Sequence, residues 1–222
     1  TNTDFMAEWK LPKAYRCTAM FNSCKSMVSA DLSNVFDETL EDATNMFTDC
    51  TSLKSVNWGT TKLNGLKTAS GMFARSGIES IDLSGLFGTN LQNCENMFLD
   101  CKSVVTIDLS DNQLYSVKNG SGMFGRCSNL KTIYVSNNFT GLTTSDNMFL
   151  GCTSIIGGSG VKYDASKIDG TMANWKTGYL TLKYGPILRK DCMNEINNWM
   201  TGDKYDTIVF DDSTVPASQS DT

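Results

Sequence analysis

The sequence predicts an α/β repeat fold: a solenoid with one parallel sheet of six or seven short strands, short helical turns on the other side, and a cap at each end. Three observations predict it. Met-Phe recurs six times, at Met20-Phe21, Met46-Phe47, Met72-Phe73, Met97-Phe98, Met123-Phe124 and Met148-Phe149, with spacings of 25 or 26. A cysteine stands four residues after the Met in five copies (Cys24, Cys50, Cys101, Cys127 and Cys152), and Ser76 takes its place in the third. Between copies, apolar residues fall at spacing three and then two: Leu53-Val56-Trp58, Ile78-Ile81-Leu83, Val104-Ile107-Leu109 and Leu130-Ile133-Val135. Self-similarity at such a period marks stacked supersecondary units.

The last two apolar positions of each set flank one polar residue, which is strand alternation. Asp31, Asn57, Asp82, Asp108 and Tyr134 are therefore expected in a row on the outer sheet face, the candidate binding surface. Ser29, Ser55, Ser80, Thr106 and Thr132 form a neighbouring row. Turn-rich stretches such as Ser110-Asp111-Asn112 follow, then an apolar anchor: Leu40, Leu66, Leu91, Val117 or Leu142. Met, Phe and Cys at i, i+1 and i+4 fit one inward-facing helical turn. No unit could bury its apolar face alone, so the units stack as ladders of like residues. Pro12, Pro186 and Pro216 all lie outside the array, which suits a continuous sheet.

The pattern weakens at both ends. The first copy offers Met27, Ala30 and Leu32, and the last loses the spacing after Ile155, at Gly158 and Gly160. Residues 1–18 are expected to form an N-terminal cap or partial coil, because Met6, Trp9 and Leu11 repeat the apolar spacing. The six-repeat solenoid then spans 19–173. In 174–222 the reading is a strand at Tyr179–Tyr184, a helix from Pro186 with Leu188, Cys192, Ile196 and Trp199 on one side, a strand at Asp206–Phe210 and a disordered tail. The alternative for this segment is a second domain cut short.

Charge and composition exclude several functions. With 19 Lys+Arg against 24 Asp+Glu the net charge is −5, the wrong sign for a nucleic-acid surface. Histidine is absent, so no Ser–His or Cys–His pair and no His-ligated metal can be assembled. No apolar run approaches the ~20 residues that cross a bilayer. The eight cysteines raise a disulfide framework. Geometry argues otherwise: equivalent cysteines on adjacent coils sit ~4.8 Å apart with parallel side chains, and Cys101, Cys127 and Cys152 cannot all pair. Buried thiols acting as small apolar filler are the expectation. Calcium wants six to eight oxygens, and no Asp-rich loop supplies them, so neither metal nor cofactor is expected. Asp82 and Asp108 would lie side by side, but a shallow face gives a carboxylate pair no catalytic cleft.

The stretches MFTDCTSLKSVNW, MFARSGIESIDLS, MFLDCKSVVTIDLS and MFGRCSNLKTIYVS resemble the repeats of BspA-like bacterial leucine-rich-repeat surface proteins. The resemblance implies a curved parallel-sheet solenoid, export, and display at the cell surface as a non-enzymatic adhesin or binding module. It implies an extracellular protein or glycan as partner, with the chain a monomer. A structural spacer projecting another module, or a glycan-processing enzyme, are the competing readings.

Overall fold

The computed structural model describes residues 10, 11 and 13–183. Within them six short strands follow one another along the chain: β1 (Ser29–Asp31), β2 (Ser55–Asn57), β3 (Ser80–Asp82), β4 (Thr106–Asp108), β5 (Thr132–Val135) and β6 (Thr181–Leu182). All pair in parallel, with each repeat set directly on its equivalent: Ala30 on Val56, Ile81 on Ile107, Ile107 on Ile133. The inward positions close the core, and Leu32, Leu53, Ile107, Leu130 and Ile133 are fully or almost fully buried.

Opposite the strands runs the Met-Phe side. Phe21, Phe47, Phe73, Phe98, Phe124 and Phe149 stack face to face, with centroids 5.2–5.9 Å apart and planes within 17°. The spacing slightly exceeds the ~4.8 Å coil repeat, as offset stacking requires. Tyr179 closes the column edge-on against Phe149 at 5.2 Å. Four of the five motif thiols lie in the same dry interior. Cys50, Cys101, Cys127 and Cys152 each donate to the Phe carbonyl of the coil before, at 2.9–3.0 Å. The seven described cysteines are free thiols, all buried except Cys24. Ser76 stands buried in the same column and meets Cys101 Sγ at 3.5 Å.

Two expectations need correction. The Met-Phe segment is not a helical turn. Alternate amides bond across coils, with Phe47 N–H on Met72 O, Phe73 on Met97 and Phe98 on Met123 at 2.8 Å. Those between close i→i−3 turns, such as Met46 N–H on Ala43 O, so no i→i−4 helix forms. The chain turns through left-handed residues on either side, Asn45 and Asp49 in one copy, Asn96 and Asp100 in another. Asn and Asp tolerate that conformation better than most residues.

Nor is the sheet one ladder. β1 pairs with β2, and β3-β4-β5-β6 form a separate ladder. Copy three has one residue fewer between its Met and the next apolar anchor: Met72 to Ile78 is six positions, whereas Met46 to Leu53 is seven. Gly77 N–H bonds Cys50 O at 3.1 Å, and a Cβ there would stand 2.1 Å from Thr51 O. Coil two meanwhile puts an indole, Trp58, where the others place Leu32, Leu83, Leu109 or Val135. The shortened entry and the oversized side chain coincide with the break.

The sixth copy has no strand of its own. Ile156 folds back on Lys162 in an antiparallel bridge, and β6 takes the place beside β5, with Thr181 against Tyr134. The strand expected at Tyr179–Tyr184 is thus present at Thr181–Leu182, while the helix and second strand expected beyond it lie outside the described residues.

Candidate functional site

Backbone register brings the expected row together in two parts. Asp31 faces Asn57 across β1–β2, and Asp82, Asp108 and Tyr134 are consecutive across β3–β4–β5. Asn57 Nδ2 donates to Asp31 Oδ1 at 3.2 Å, and the Ser33 amide donates to the same oxygen. Hydrogen bonds from Ser33 and Asn57 hold the Asp31 carboxyl below the usual carboxylate range. Asn57 and Asp82 are exposed, and Asp31 and Tyr134 half-buried.

Asp108 departs from the expected open face: it is only 6% exposed. Lys183, which follows β6, ion-pairs with its Oδ2. The ammonium passes over the Tyr134 ring at 5.5 Å from the centroid. Ser110 donates to the other oxygen through its amide at 2.9 Å and its hydroxyl at 2.6 Å. The ion pair holds the Lys183 ammonium above its ordinary range. Burial works against charge on Asp82, but the Ser84 amide and hydroxyl and the Lys183 ammonium outweigh it and keep the carboxyl low. One lysine therefore relieves the repulsion expected between Asp82 and Asp108. The partner was not evident from the repeats because Lys183 lies 75 residues from Asp108.

Two further arrangements escaped sequence reading. Asn112 is buried and staples coils: it accepts from Phe87 N–H at 2.8 Å and donates to Leu83 O and Leu109 O. Asn137, one coil on, accepts from Leu114 N–H and donates to Asn112 O. The signal was present as the Asn residues of two turn stretches, Ser110-Asp111-Asn112 and Ser136-Asn137-Asn138. The second is a two-coil alternation on the Met-Phe side, Asp49, Arg75, Asp100 and Arg126. Arg75 forks onto Asp49 at 2.6 and 2.9 Å, and Arg126 meets Asp100 at 3.5 Å. These pairs are largely exposed and register the coils more than they stabilise them.

The strand face also opens where the two ladders part. The pairs that hold express a rule: the residue after each strand donates to the next coil, as Leu32 does to Asn57 O, Leu83 to Asp108 O and Leu109 to Tyr134 O. Trp58 makes no such bond to Asp82 O. The inward residue of β2, Val56, is only partly buried, whereas Ala30, Ile81, Ile107 and Ile133 are buried. A cleft of about 270 Å³ lies there, lined by Asn57, Trp58, Lys62, Asp82 and Leu86 among others.

Among the described residues no group of three or more Cys, Asp or Glu is placed to hold a metal, and no helix is long and apolar enough to cross a membrane. Neither curated proteins nor solved structures give a significant match. Six copies of the BspA type leucine rich repeat region match residues 17–156, close to two-thirds of the chain, spanning the Phe column and strands β1–β5. The chain belongs to the BspA-type leucine-rich-repeat family.

Proposed function

We propose that this chain is a macromolecule-binding module, displayed outside a bacterial cell and used for adhesion to proteins or glycans of a host or neighbouring cell. The observation that carries the reading is the strand face: Asp31 and Asn57 in register across β1–β2, and Asp82 exposed on the first strand of the second ladder, on a core whose rings repeat coil by coil. An extended, rigid array offers area for a macromolecular partner. Family membership supports an interaction role, and surface display rests on the same resemblance. A catalytic pair is disfavoured, because Asp108 is engaged by Lys183 and Ser110 and is not free to exchange a proton with a substrate.

Binding to immobilised extracellular-matrix proteins and glycans, measured by biolayer interferometry, tests the reading. A micromolar ligand should lose about tenfold or more in affinity in the triple variant Asp31→Ala, Asn57→Ala, Asp82→Ala, the sum expected of a few polar contacts. Unchanged affinity would move the site off the strand face. Absence of any ligand across the panel would remove adhesion by this segment.

A further inference from the structure

The cleft between the ladders has the attributes of a small-molecule site. It is bounded at both ends. Before it, Lys54 Nζ reaches Gly77 O at 3.3 Å and Glu79 Oε1 at 2.5 Å across the same two coils. Beyond it they rejoin through Leu63 N–H on Leu86 O at 2.8 Å and Lys62 Nζ on Gly85 O at 2.7 Å. The opening is thus a window, not a frayed edge. It reaches from exposed strand-face residues, Asn57 and Asp82, to the buried Trp58, Leu83 and Leu86.

Trp58 supplies an independent observation. It is 6% exposed, and its Nε1–H is the one buried side-chain polar atom among the described residues without a hydrogen-bond partner. Leaving such a donor unpaired costs about 1–3 kcal/mol, so an isolated case in an otherwise satisfied core calls for a partner. Its backbone amide lacks the inter-coil bond as well.

We propose that this window is a binding site for one unit of a neutral, polyhydroxylated ligand, a saccharide. Three features select that class. The lining holds one cation, Lys62, and one anion, Asp82, so it does not favour a charged ligand. Lining residues that carry donors (Asn57, Lys62 and, with its buried indole N–H, Trp58) stand beside residues that carry acceptors (Asp82 and Asn57). Each of the exposed groups keeps a hydrogen-bonding position beyond its internal bonding, and hydroxyls, which donate and accept, satisfy donors and acceptors alike. The volume of about 270 Å³ falls just under the ~300–1,000 Å³ of ordinary ligand pockets, which suits a single ring. The inference does not rest on the macromolecular reading above, since free sugar tests the window alone.

The experiment is a ¹H–¹⁵N titration of the folded chain with millimolar monosaccharides, following the Trp58 indole cross-peak assigned from Trp58→Phe. At least one sugar should move that peak saturably. Trp58→Phe, which keeps an aromatic ring but loses the pyrrole part and its donor, should then weaken the same sugar by about 5–10-fold, read from the remaining Asn57 amide shifts. Asp82→Asn, which leaves the core untouched, should weaken it as well. A Trp58 indole that stays put for every sugar overturns the proposal. So does a shift with free amino acids and not with sugars, which would assign the window to a zwitterion.

Discussion

The two sides of each coil treat repetition differently. On the Met-Phe side, six rings follow one another with no gap from Phe21 to Phe149, and Ser76 enters the thiol column without disturbing it. On the strand side the ladder breaks between β2 and β3, a lysine from outside the repeats covers Asp108, and the sixth strand is borrowed from residues 181–182. Large rings in a dry column leave no room for a change of register, because interiors are close-packed. Short strands of two to four residues do. The regular side holds the ring column, and the variable side carries the surface proposed for binding.

The sharpest way to break this contrast is to cut the column. Phe98→Ala removes a fully buried ring between two stacked neighbours and should cost about 3–5 kcal/mol in urea unfolding. A loss under 1 kcal/mol would mean the column is not the main source of stability. On the strand side, Lys183→Met strips the cation from a buried carboxylate and should cost about 1–3 kcal/mol, because Ser110 still bonds Asp108. Lys54→Met, which removes an exposed pair with Glu79, should cost under about 1 kcal/mol in the same assay. If the two lysine variants were equal, Asp108 would not be buried as described.

The smallest effect concerns pH. With no histidine, stability should stay flat between about pH 5 and 8 in calorimetric scans. The carboxyls of Asp31, Asp49 and Asp82 are held low in the folded chain, so their contribution is present above the unfolded value near 3.9 and disappears as pH falls through the folded values. Burial raises the Cys94 and Cys152 thiols to about 12, so these groups stay neutral in the fold after the unfolded chain ionises, and stability should fall again above about pH 9. A step near pH 6.5 would contradict the assignment.

Local repetition was legible from sequence because each ladder places a residue on its own copy. The Met-Phe column, the inward Ile107 and Ile133, the polar row and the burial of most motif cysteines all follow from a period of 25 or 26 and the rule that apolar residues face inward. What breaks the period was not legible. Lys183 reaches Asp108 from beyond the array, and no spacing announces it. The left-handed turns at Asp49, Arg75 and Arg126 carry no glycine to signal them. The missing residue before Ile78 and the indole of Trp58 were both visible as letters, but the break they accompany depends on how two coils fit.

Native-state hydrogen exchange reads both sides of the coil in one experiment. The amides of Phe47, Phe73 and Phe98, bonded across coils at 2.8 Å, should exchange only through global unfolding, while the Trp58 amide exchanges at least a hundredfold faster. Equal protection at Trp58 and Phe73 would mean that the strand ladder is closed, and the window between β2 and β3 would not exist.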